Sequence, residues 1–89
     1  MLKEIASTLK QHTDLKILVE GHTDNVGSAA SNLSLSDARA AAVKAALVAD
    51  FGIDGARITT KGFGDTKPSV PNANAAGRAQ NRRVEIVKQ

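Results

Sequence analysis

Leu2, Ile5, Ala6 and Leu9 fall at i, i+3, i+4 and i+7, the apolar stripe of an amphipathic helix. Thr13 and Asp14 favour a turn, so this helix is expected to stop near His12–Asp14. The period then shortens to two. Leu15, Ile17 and Val19 alternate with polar neighbours or lie on one side, and the β-branched content predicts a strand over Leu15–Glu20. Gly21 and the polar run His22-Thr23-Asp24-Asn25-Val26-Gly27-Ser28 end it, and the small, polar residues from Gly27 to Asn32 predict a loop. A second helix is expected to begin at Ser34, with Asp37 in the acidic position of a capping box. Ala40, Val43, Leu47 and Phe51 form its buried stripe, and Gly52 is placed to terminate it.

The segment Arg57–Phe63 (RITTKGF) predicts a second strand. Gly64, Pro68 and Pro71 follow closely, which makes residues 64–77 a loop of unusual length for so short a chain, with a helical turn expected over Ala76–Gln80. Arg82–Lys88 (RRVEIVK) reads as the last strand, with Val84 and Ile86 on one face. The strand-helix-strand unit in the middle should cross over right-handed and set its two strands parallel. The fold class is therefore α/β, and 89 residues make one domain over positions 1–89.

Composition narrows the functions. Apolar residues at 42% and charged ones at 24% are ordinary for a globular domain. Without cysteine there is neither a disulfide framework nor a thiolate nucleophile or metal ligand. A net charge of +3 is a mild bias toward anionic partners, but two Phe with no Trp or Tyr leave almost nothing for bases to stack on. The basic cluster Arg78, Arg82, Arg83 and Lys88 is interrupted by Glu85, so nucleic acid is not the expected partner. No apolar run approaches the roughly 20 residues that span a bilayer. Lys3, Glu4 and Lys10 make the first segment unlike a signal peptide or anchor, so any export address is expected to lie outside this chain.

Ligands of open α/β sheets gather beyond the carboxyl ends of the parallel strands. Three charges are expected there. Asp24 leaves the first strand. Arg39, in the second turn of the expected helix, leans back toward the Asp24 loop. Arg82 opens the last strand on the parity of Val84 and Ile86. One carboxylate facing two guanidinium groups suits a ligand bearing both charge signs: an ammonium on Asp24 and a carboxylate on Arg39, aided by amides of the 24–27 loop and the helix dipole. The plain alternative is a surface ion pair between Asp24 and Arg39. Other motifs are weaker. His22-x-Asp24 has no third ligand at metal spacing, so no metal is expected and His22 reads as a structural hydrogen-bonding residue facing away from the helices. Ser34 and Ser36 lack an activating histidine and read as caps, and Gly21–Gly27 lacks the G-x-G-x-x-G phosphate spacing.

The strings VEGHTDNVGS (Val19–Ser28), Asn32-Leu33-Ser34, Asp37-Ala38-Arg39-Ala40, Gly62-Phe63-Gly64-Asp65 with Pro68, and Asn74 with GRAQNRRVEI (Gly77–Ile86) resemble the OmpA-like domain, in order and over nearly the whole chain. That family includes peptidoglycan-associated lipoproteins and the flagellar stator protein MotB, and its members bind the cell wall non-covalently. The resemblance implies a two-layer α/β (α+β) sandwich with a small mixed sheet, an antiparallel last strand and helices on one face. It implies that Asp24 and Arg39 grip the diaminopimelate of the peptidoglycan stem peptide. By the same carry-over Thr23 and Asn25 shape the loop, Asn32 hydrogen-bonds the peptide, and Arg82 supports a carboxylate. No cofactor is implied. The implied place is the periplasm, at the outer membrane and cell wall.

The family's domain usually opens with a strand before the first helix, and this chain begins at that helix. The absent strand would flank Arg82–Lys88 and leave it an exposed edge open to pairing with a second copy. The chain then reads as a truncated domain or a homodimer, with any membrane contact made by a parent segment. Two other classes compete with a wall-binding module. One is a dimerisation domain using that edge. The other, an enzyme on wall peptide with Asp24 as base, lacks a second acid, thiol or metal cluster.

Overall fold

The structure, a computed structural model, describes residues 2–89. The first helix, α1 (Leu2–Gln11), buries Ala6 and Leu9 and ends where the sequence predicts. Its C-terminal carbonyls are orphans that a helix cannot satisfy internally. Arg57, 42 or more positions away, takes them: its guanidinium donates to the carbonyls of Leu9 (2.7 Å), His12 (2.7 Å) and Leu15 (3.1 Å). That clamp fixes the turn into β1 (Ile17–His22).

β1 is the central strand. It pairs parallel with β2 (Ile58–Gly64) and antiparallel with β3 (Val84–Lys88), giving the sheet order β2-β1-β3. This is the mixed sheet expected from the sequence. Ile17, Val19 and Ile58 point to one face and meet Ala6 and Leu9 of α1 and Ala40 and Leu47 of the long helix α2 (Ala29–Phe51). Among the described residues β3 has a strand on one side only, so its outer edge is open, again as expected.

The start of α2 corrects the sequence reading. Its N-cap is Ser28, whose Oγ accepts from the Ser31 amide at 3.1 Å, so residues 29–33 are helical instead of loop. The capping-box residues have other partners. Ser36 Oγ donates to the Leu33 carbonyl and accepts from the Gly64 amide at 2.9 Å, and Asp37 Oδ1 accepts from the Gly62 amide at 2.8 Å. Ser34 is exposed. Helix and sheet thus meet through side chains bonded to backbone, and the approach is close: a Cβ on Gly21 would collide with the Ser36 carbonyl, and one on Gly62 with Asp37. Gly52 ends α2 as predicted, in the left-handed region at φ 68°.

The connection from β2 to β3 runs over residues 65–83 and contains α3 (Ala75–Asn81), capped by Asn74. One buried side chain organises it. Asn81 Oδ1 accepts from the amides of Ser69 (2.9 Å) and Val70 (3.2 Å), while its Nδ2 donates to the Val70 carbonyl and to Asn72 Oδ1, both at 2.8 Å. All the hydrogen-bonding capacity expected of a buried amide is used. Arg82 lies at the C-cap of α3, before the last strand, instead of opening that strand.

Candidate ligand-binding site

The segment after β1 is braced from three sides. The Thr23 amide donates to the Gly64 carbonyl at 2.9 Å and Thr23 Oγ1 to the Asp24 carbonyl at 2.9 Å. Asn32, in the first turn of α2, donates both amide hydrogens: to the carbonyls of Asp24 (3.2 Å) and Val26 (3.0 Å). Asn32 was expected to bond the ligand. Its two amide donors are committed inside the protein, where they hold the loop, and its Oδ1 makes no hydrogen bond with the described residues. Asn25 is exposed and makes no hydrogen bond with the described residues.

Asp24 sits at the centre of this brace with little solvent exposure. Its Oδ1 accepts from the Val26 amide at 3.0 Å, and its Oδ2 takes a 2.6 Å charge-assisted bond from Arg82 Nη1. The Val26 amide and the Arg82 guanidinium, with Arg78 adding charge, hold the Asp24 carboxyl below its ordinary pKa, against the opposing effect of burial. Each carboxylate oxygen accepts two hydrogen bonds, so one site on each remains for a ligand donor.

The partner of Asp24 is thus Arg82, and the surface ion pair with Arg39, the plain alternative in the sequence, is not formed among the described residues. Because α2 starts at Ser28, Arg39 lies eleven positions beyond the N-cap, about 16 Å along the axis. The helix dipole expected to assist it acts only within the first turn and does not reach that far. The Val26 amide, expected to be free for a ligand, is spent on Asp24. Arg39 does lie seven positions from Asn32, about two turns along the same flank of α2, so it faces the side of the helix from which Asn32 reaches the Asp24 loop. It is half-buried and makes no hydrogen bond or ion pair with the described residues.

A second cluster lies on the sheet face away from α1 and α2. His22, 1% exposed, stacks on Phe63 with ring centroids 5.4 Å apart, and its Nε2 lies 3.1 Å from Glu20 Oε1 and 3.3 Å from Glu85 Oε2. Sequence reasoning found no third donor for His22; the antiparallel register that sets Glu85 opposite Glu20 supplies it. The arrangement is nevertheless closed. Arg83 donates twice to Glu85, at 2.9 and 3.1 Å. His22 Nδ1 is buried without a partner, so the ring's proton belongs on Nε2 between the carboxylates, where a metal would have to displace it onto Nδ1.

Residues 1–82 match the OmpA family. The chain is 46% identical over 84 residues to outer membrane porin F of Pseudomonas aeruginosa, covering 94% of this chain and 24% of the porin. It is 45% identical over 87 residues to the peptidoglycan-binding protein ArfA of Mycobacterium tuberculosis, covering 98% of this chain and 26% of that protein. The chain therefore spans about a quarter of the length of these relatives. Among solved structures, the peptidoglycan-associated lipoprotein of Burkholderia pseudomallei superposes with a TM-score of 0.92 at 38% identity, covering 99% of this chain and 74% of that one.

Proposed function

Since the chain belongs to the OmpA family, we propose that it is a binding module that holds its parent protein to peptidoglycan in the periplasm, and that it does so by recognising the free end of diaminopimelate in the stem peptide. The observation that carries this reading is charge left open beside a prepared carboxylate. Asp24 is fixed and ionised with acceptor sites to spare, while Arg39, on the flank of α2 that Asn32 shares, has no counter-charge among the described residues. The far end of diaminopimelate carries an ammonium and a carboxylate on one carbon. The ammonium is the donor that Asp24 lacks, and the carboxylate is the fork partner that Arg39 lacks. Arg82 holds Asp24 with one of its five donors, and its half-exposed guanidinium keeps the others for a ligand carboxylate.

Similarity to a protein named for peptidoglycan binding and to a peptidoglycan-associated lipoprotein supports the same reading. Binding, and not catalysis, fits the electrostatics: a carboxylate held low by an arginine and an amide is a fixed counter-charge and a poor proton carrier near neutral pH. The test is co-sedimentation with purified sacculi. Asp24→Ala and Arg39→Ala are each expected to lower the pelleted fraction while the thermal unfolding profile persists. Equal pelleting of both variants and the parent sequence rejects the assignment.

The open edge of β3 supports a second reading, self-association by strand pairing. Light scattering after size exclusion decides it: a monomer that persists at high concentration removes this reading and leaves the first intact.

A further inference from the structure

The three arginines of the segment Gly77–Arg83 have different fates. Arg83 is saturated: its guanidinium donates to Glu85 and to the carbonyls of Asn81 and Lys67. Arg82 has its charge paired with Asp24. Arg78 has neither. It is half-buried, and its one hydrogen bond is a long contact of 3.4 Å to the Asn72 carbonyl. Among the described residues it has no carboxylate partner.

Arg78 is one helical turn before Arg82, whose amide donates to the Arg78 carbonyl at 3.2 Å, so the two side chains share a flank of the chain. Arg82 spans from that flank to Asp24 at 2.6 Å. The Arg78 charge is close enough to help hold the Asp24 carboxyl ionised. Asp24 thus has two guanidinium groups near it, Arg82 paired with it and Arg78 without a carboxylate partner among the described residues. An ammonium and one carboxylate from a ligand would still leave an excess of positive charge.

We propose that Arg78 is a second anion-binding residue of this site, taking a carboxylate of the stem peptide other than the one that Arg39 takes. This rests on the diaminopimelate reading above and extends it from a single amino-acid end to a longer segment of peptide. A guanidinium with four of its five donors unused offers two parallel hydrogen bonds to a carboxylate. The glutamyl residue that precedes diaminopimelate in the tripeptide L-alanyl-γ-D-glutamyl-meso-diaminopimelate carries such a group.

Calorimetric titration of the 89-residue chain with three ligands tests this: free meso-diaminopimelate, that tripeptide, and the tripeptide with its glutamyl carboxylate amidated. Arg78→Gln is expected to weaken the tripeptide by roughly tenfold and to leave the other two within about twofold, the size of one lost charge-assisted contact. Arg78→Lys, which keeps charge without the fork, is expected to fall between. Equal weakening of all three ligands by Arg78→Gln overturns the proposal, because Arg78 then acts only on Asp24 or on the loop through Asn72. So does no weakening of any. If Asp24→Ala weakens free diaminopimelate while Arg78→Gln spares every ligand, only this inference fails. If the parent sequence binds none of the three, the reading beneath it fails as well.

Discussion

Two charged clusters lie near the C-terminal end of β1, assembled from similar residue types and differing in completeness. On the sheet face away from α1 and α2, Glu20, His22, Glu85 and Arg83 close on one another, with Phe63 stacked on the imidazole. At the strand end, two positions further along, Asp24 has Arg82, while Arg78 and, on α2, Arg39 have no carboxylate partner among the described residues. The first cluster is closed by its own hydrogen bonds and behaves as structure. The second leaves guanidinium charge unanswered next to a preset carboxylate, and the proposed ligand site rests on that difference. The presence of histidines and acids in a motif therefore identifies nothing by itself; what counts is whether the fold has already paired them.

The largest effect expected from probing this contrast is in the closed cluster. His22→Ala removes a fully buried, stacked ring and should lower stability by about 2–4 kcal/mol, read by urea unfolding. Sacculus binding by the fraction that remains folded should be unchanged; loss of binding there would erase the distinction between the clusters. Next in size is Arg39→Lys, expected to weaken wall binding by roughly tenfold with unfolding unaffected, since lysine keeps the charge but cannot form the fork. Retained affinity would mean that Arg39 contributes charge alone.

The pH response sharpens the comparison further. Asp24 has a lowered pKa, so its favourable pairing is present above the unfolded carboxylate value and is lost as pH falls through the lower folded one. Binding should therefore hold from neutral pH through the ordinary aspartate range, about pH 4, and decline only below it. Arg82→Gln removes one of the two main causes of the lowering, and the decline should move to higher pH in pull-downs across a pH series. An unmoved midpoint would deny Arg82 its role as the holder of Asp24. The smallest effect belongs to Glu85→Gln, whose half-exposed ion pair with Arg83 should be worth about 0.2–1 kcal/mol, with wall binding the same as in the parent sequence.

Much of this arrangement is legible in the sequence. The apolar periods locate α1, β1, β2 and β3 to within a few residues, because each buries a single face against one core. The helix start was misjudged for a physical reason. Ser34 with Asp37 has the form of a capping box, but Ser28 already caps the chain earlier by accepting from the Ser31 amide, and Ser36 and Asp37 are drawn off to amides of β2 that only the tertiary fold brings near. That shift moved Arg39 away from the helix end. Asp24 and Arg82 are 58 positions apart, and nothing local signals that they meet. The connection from β2 to β3 was equally opaque, since its order depends on one amide, Asn81, inside a run that reads as basic and polar.

The backbone-to-backbone seat of α2 on the sheet has a consequence for recognition. Gly21 and Gly62 leave no room for even a methyl group, so the helix cannot slide or rock without parting from the strands. Asp24 is carried by the strand and Arg39 by the helix, and the gap between them is therefore set like the jaws of a locked caliper. The gauge is cut in main chain, where a single added carbon at Gly21 or Gly62 would reset it.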